Sequence, residues 1–244
     1  MLSYENTKTE IEVAKPDTAV LPIGSVEQHG PHLPIGTDYF QAQALAKAVA
    51  EELDAFLLPA IPFSTCYEHK CEGKFGGIFI SPRTLYLYVE DVIHSLKAQG
   101  FKRVILILGH GGIFITAPMA RELNALYDDL LVINITPPIS EKTKSVLENK
   151  AGEIHAGESE TSNILYLRED LVKKELLTKD IDFIPDCPRE FLNYTSLQEI
   201  SPGGIWGMPS LAKKEKGELI MKYRTEAALE YIEKATKIGK YKEW

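Results

Sequence analysis

The chain has 244 residues, 44% of them apolar and 25% charged, with a formal net charge of −8; that is room for one α/β domain with a well-buried core. The acidic balance argues against nucleic acid and against an anionic membrane as partner, and no apolar run is long enough to cross a bilayer. The start lacks a basic segment followed by an apolar core, and Cys66, Cys71 and Cys187 form no paired framework, so we expect a cytoplasmic chain with reduced thiols.

In chain order, residues 1–17 are polar and read as a short helix or arm. The apolar run 18–23 predicts a buried strand. Residues 21–38 are dense in proline and glycine and read as a bent loop, neither helix nor strand. Residues 39–53 carry apolar side chains at helical spacing, with Asp38 near the N-cap position. A second strand is expected at 56–59, a loop with Tyr67, Glu68 and His69 at 62–74, and a short strand at 76–80. Ser81 and Pro82 read as the N-cap and first residue of a helix that runs to about 98 and is stopped by Gly100. Residues 102–108 form the clearest buried strand and run straight into Gly109. A helix at 115–127 follows, then a strand at 130–135 ended by Pro137 and Pro138, and a helix at 140–149. An apolar helix is expected at 163–167, no firm pattern at 170–200, a loop at 201–209 and a long helix at 217–237. Alternating strands and helices predict an α/β fold, a mostly parallel sheet with helices on both faces, in one domain spanning 1–244.

Three loops hold the residues that carry chemistry. The first has Glu27, His29, His32 and Asp38; the second has His110 among glycines; the third has His155, Glu158 and Glu160. Four of the six histidines fall in these loops, and His69 can add a fifth. Loops that follow parallel strands converge on one edge of a sheet. Carboxylates mixed with imidazoles suit a divalent cation, and the lack of thiolates argues against a closed structural zinc site. Gly109, Gly111 and Gly112 permit positive φ and close backbone approach around His110, and Gly157 can do the same beside His155. Plainer readings stand beside these. Asp38 can be a helix cap, Glu158 is best read as complementing a helix dipole, His32 can simply hydrogen-bond its loop, His94 is structural or solvated, and Tyr67 and Trp206 are packing or pocket wall.

The strings GSVEQHGPHLPIGTD (24–38), GHGG (109–112) and HAGESETS (155–162) resemble the three signatures of the creatininase (creatinine amidohydrolase) family, with weaker matches at Glu68-His69 and around Trp206. The resemblance covers about 18–235. It implies a three-layer αβα sandwich, two divalent metal ions (zinc or manganese, in some members iron), hydrolysis of a non-peptide or cyclic amide or formamide C–N bond by metal-activated water, a small-molecule substrate, and often a hexamer. By motif, Glu27 and His110 would bind one metal, His29 and Glu160 the other, Asp38 would bridge them, and His155 would be the catalytic histidine, moving protons at the scissile bond while titrating near neutrality. Creatininase itself has an aromatic residue and a glutamate after the second-motif histidine; Gly111 and Gly112 stand there, which argues against creatinine as substrate. Ile113 and Met208 depart from the asparagine and aspartate of many relatives. Other branches act on formamides or clip a peptide. These departures motivate the alternative, an inactive metal-containing binding or regulatory protein of the same fold.

Overall fold

The computed structural model describes residues 1–136 and 140–239, so the strand end expected at Pro137 and Pro138 lies outside the described residues. Five parallel strands form the main sheet. In chain order they are β1 (Leu2–Ser3), β2 (Thr18–Ile23), β4 (Phe56–Leu57), β6 (Arg103–Leu108) and β7 (Leu131–Ile135); in space the order is β1-β4-β2-β6-β7. Two further segments, β3 (Val26–Glu27) and β5 (Gly77–Ile78), pair antiparallel beside it.

The strands are apolar on both faces because both are covered. Leu21, Val104, Leu106 and Val132 pack under α3 (Pro82–Ala98) and α4 (Thr116–Leu126). Val20, Ile105, Ile107 and Ile133 pack under α2 (Thr37–Leu53) and α8 (Lys214–Ile238). The result is the expected αβα sandwich. Its smaller helices are α1 (Lys8–Ala14), α5 (Glu141–Val146), α6 (Glu158–Leu167) and α7 (Leu197–Ile200). The expected helix start at Ser81 is observed: its hydroxyl accepts from Thr84 N–H at 3.1 Å, and Pro82 opens the first turn.

The structure corrects several boundaries. The loop at 21–38 is not free of strand. Val26 pairs with Ile78 and Glu27 with Gly77, a ladder too short to leave an alternating pattern in the sequence. Asp38 is not at the N-cap. Pro34 carbonyl accepts from both Thr37 N–H and its hydroxyl, so α2 starts earlier, Gly36 takes the cap position and Asp38 sits inside the first turn. The helix expected from 163 begins at Glu158, and the one expected at 140–149 covers only Glu141–Val146. Residues 1–17 contain β1 as well as a helix. Between 169 and 200 the described chain forms short 3-10 turns and α7.

Candidate metal centre

The centre lies at the carboxyl ends of β2 and β6, where parallel α/β sheets leave a crevice. Gly109 N–H donates to Ile23 carbonyl at 2.8 Å, locking the exits of the two strands together. A Cβ on Gly109 would stand 2.4 Å from Asp38 carbonyl, so only glycine lets β6 pass over the first turn of α2. None of Gly109, Gly111, Gly112 or Gly157 uses positive φ; beside His155 that conformation falls on Ala156, at +51°. These glycines are needed for close approach rather than for handedness. A held, non-glycine left-handed residue next to His155 is the kind of local strain that clusters at functional sites.

Glu27, His29, Asp38, His110, Glu160 and His155 are brought together, with all but Glu160 buried. Their hydrogen bonds fix which atoms face inward. His29 Nδ1 donates to Glu27 carbonyl at 3.2 Å, so Nε2 carries the lone pair; it faces Asp38 Oδ1 at 3.4 Å and Glu160 Oε2 at 3.7 Å. His110 Nε2 donates to Glu68 Oε1 at 2.8 Å, so its Nδ1 lone pair faces Glu27 Oε1 at 3.1 Å and Asp38 Oδ2 at 3.3 Å. Glu27 Oε1, His29 Nε2 and Asp38 Oδ2 are buried without a hydrogen-bond partner. The imidazole lone pairs of His29 and His110 converging on the oxygens of Asp38, Glu27 and Glu160 need positive charge, as a proton or a cation. An imidazole tied through its other nitrogen to a carbonyl or carboxylate is how metal-ligating histidines are oriented. The donor set therefore fits divalent cations.

Without a cation the field shows in the acidities. Burial alone would raise Glu27, yet His110 and His69 hold it well below the usual carboxylate range. Burial and the charge of Glu27 push Asp38 up. Burial would lower His29 and His110, but Asp38 and Glu160 lift the first and Glu27, Asp38 and Glu68 lift the second, both well above 6.5. Burial opposes ionisation of Glu160 as well, yet His29, His155 and the Ala156 N–H bring it to about 2. His155 falls well below the ordinary imidazole value, through burial and then through His29 and His69.

Residues beyond the expected set complete the cluster. Gln28 Oε1 accepts from Gly30 N–H at 3.0 Å, so its amide nitrogen is the one that donates to Gly204 carbonyl at 3.1 Å and to His69 Nδ1 at 3.0 Å. His69 then turns Nε2–H toward Glu27 Oε1, 3.0 Å away. His155 Nε2 lies 2.6 Å from Gln28 carbonyl; a carbonyl cannot donate, so the ring does, leaving Nδ1 as its lone-pair nitrogen 3.8 Å from Glu27 Oε1. Glu68 occupies the room left by the missing side chain at 112. A Cβ on Gly112 would lie 1.9 Å from Glu68 Oε1. In the sequence, His69 showed as a possible fifth clustered histidine and Glu68-His69 as a weaker family match, while Gln28 lay inside the first signature with no role of its own.

Other candidates fall outside the cluster. His32 Nε2 is 2.9 Å from Thr161 Oγ1, and His94 meets Tyr127 OH at 3.1 Å. Glu158 accepts from Glu148 and Asn149 N–H and pairs with Lys216, pointing away from the cluster. Ile113 is buried in the core near α3 and α4. Trp206 reaches the site through backbone pairing with His155, and Tyr67 packs on Phe79. No helix of the described residues is long and apolar enough to cross a membrane.

The creatininase family model, creatinine amidohydrolase, matches residues 4–232. Creatinine amidohydrolase of Pseudomonas putida is 29% identical over 238 residues, covering 87% of each chain. A mycofactocin precursor peptide peptidase of Mycolicibacterium smegmatis is 29% identical over 211 residues, 82% of this chain and 78% of that one. A crystal structure of creatininase superposes with a TM-score of 0.80 at 27% identity, covering 96% of this chain and 97% of the other. Creatininase structures in manganese and Zn-Zn forms superpose at 0.74 and 0.74, with 26% and 25% identity, covering 96% and 95% of this chain and 98% and 97% of theirs.

Proposed function

We propose, from the premise that the chain belongs to the creatininase (creatinine amidohydrolase) family, that this metal-dependent amidohydrolase opens the C–N bond of a small cyclic amide or formamide at a two-cation centre. One observation carries the two-cation reading: Asp38 offers one oxygen to the lone pair of His29 and the other to the lone pair of His110. Glu27 and His110 would hold one cation, His29 and Glu160 the other, and Asp38 both. The relatives' zinc and manganese forms support those two metals. Bound there, divalent cations supply Lewis acidity and lower the pKa of water toward neutrality.

The chain's own residues would manage the proton. Gln28 carbonyl fixes the tautomer of His155, so the proton moves at Nδ1, the atom facing Glu27. With Nε2–H held by the Gln28 carbonyl, the Nδ1 lone pair would accept a proton from the attacking water and return it to the leaving nitrogen. Gln28 and His69 would orient His155 and Glu27. Gly111 and Gly112 supply neither aromatic wall nor carboxylate, which favours an amide other than creatinine.

Elemental analysis of the zinc-loaded chain, with turnover against creatinine, cyclic amides, formamides and short peptides, tests the reading. Two ions per chain and hydrolysis of a small amide are expected, and Asp38→Ala should lose both ions and at least a hundredfold in kcat/KM. Full metal content and rate in Asp38→Ala would refute it, as would tight amide binding without product.

A further inference from the structure

Two cavities, of about 370 and 270 Å³, open beside the centre and share Glu153, Ile154, Glu160 and Arg224 as walls. The larger passes His155 and reaches Lys144 and Lys150; the smaller passes Gly111 and reaches Arg189. Arg224, on α8, is 9% exposed. Its Nη1 donates to Gln41 Oε1 at 3.2 Å and its Nη2 to Ser159 Oγ at 3.0 Å, while buried Nε–H has no partner. Gln41 Oε1 is itself held by Asn163 Nδ2 at 2.6 Å, so the guanidinium is fixed in place.

A guanidinium carries five donors, and here two are used. Among the described residues it has no carboxylate ion-pair partner; Glu160 and Glu153 act on it at longer range, and burial pulls its pKa down. An enclosed cation without a counter-ion is costly, and the proposed hydrolysis does not need it. A planar fork with unused donors, facing the cavity that leads to Glu160 and His155, is suited to an anionic oxygen pair. The carboxylates of Glu153 and Glu160 in the same walls favour a monoanion over a dianionic phosphate.

Resting on the amidohydrolase reading, we propose that Arg224 receives a carboxylate of the substrate, so that the amide cleaved here carries an acidic group away from its scissile bond. The test needs no turnover. Affinities of the zinc-loaded chain for succinate, glutarate and adipate are compared by calorimetry with those for butyrate, valerate and hexanoate, which offer the cations one carboxylate and Arg224 none. At least one dicarboxylate should bind ten times tighter than its monocarboxylate match. Arg224→Gln should erase that preference, and Arg224→Lys, which keeps the charge and guards against a folding defect, should keep part of it. Equal affinities in the unaltered chain, or an undiminished preference in Arg224→Gln, would overturn the inference. Discrimination without hydrolysis of any amide would instead remove the amidohydrolase reading and leave the carboxylate site standing.

Discussion

At the scale of single residues, Gly112 is the sharpest point of control. A methyl group there would crowd Glu68 Oε1 at 1.9 Å and His110 Nε2 at 2.4 Å, the two ends of the bond that orients His110. Gly112→Ala is expected to weaken metal binding by roughly ten- to a hundredfold, the usual effect of disturbing a group that orients a ligand. Gly111→Ala meets only the flexible Arg189 tip and should bind metal normally, so metal titration of the pair isolates the Glu68 contact. His32 gives a second test, on stability. Burial lowers its pKa from 6.5 to about 4. A depressed folded value means its contribution is complete above pH 6.5 and is lost as pH falls toward 4, by at most about 3 kcal/mol. Urea unfolding at pH 7.5 and 5 should therefore show a smaller acid loss in His32→Gln than in the unaltered chain. Equal losses would mean His32 titrates normally.

At the scale of elements, α6 links the centre to the rest of the chain. Glu153 accepts from Glu158 and Ser159 N–H at its N-terminus, and Glu158 in turn holds Glu148, Asn149 and buried Lys216 of α8. Glu158→Gln leaves Lys216 with half-exposed Glu148 as its carboxylate partner, beside the Leu211 carbonyl. Breaking a buried pair this way should cost about 3 kcal/mol in urea unfolding while bound zinc stays at the unaltered level. Loss of zinc would place Glu158 in the centre. The same helix explains what the sequence hid. Its first turns bury Glu158, Ser159, Thr161, Ser162 and Asn163, all polar, so the apolar pattern begins only after the helix is under way. By contrast, β2 and β6 announce themselves as apolar runs, and α3 by its Ser81–Pro82 start, because each depends on local chemistry. Glu27, His29, Asp38, His110, Glu160 and His155 stood out because their residue types sit in compact motifs. Gln28 and His69 act through hydrogen bonds to residues 41 to 176 positions away, and one-dimensional spacing does not encode that. Asp38 was legible as a metal ligand, but its place inside the first turn of α2 was not, since that depends on the turn at Pro34 starting the helix early.

At the scale of the whole molecule, the centre and the sheet are stabilised by different means. The sheet buries leucine, isoleucine and valine on both faces, and that burial needs no ion. The centre instead collects unpaired oxygens and lone pairs from segments near 27, 38, 110 and 160, which are far apart in sequence. A cation binding only the folded chain stabilises it by about 4 kcal/mol at a thousand times its dissociation constant. For a chain of this size that is roughly 8 to 16 °C in Tm. Stripping zinc with a chelator should lower Tm by that order while far-UV circular dichroism at 25 °C stays unchanged, because the sandwich persists. Asp38→Asn, nearly the same shape but with one oxygen and the charge removed, should melt at the same temperature with or without zinc. If zinc raised the Tm of Asp38→Asn as much as that of the unaltered chain, the ion would bind elsewhere. If chelation erased the far-UV signal, the sheet would depend on the metal, contrary to the independence its two apolar faces imply.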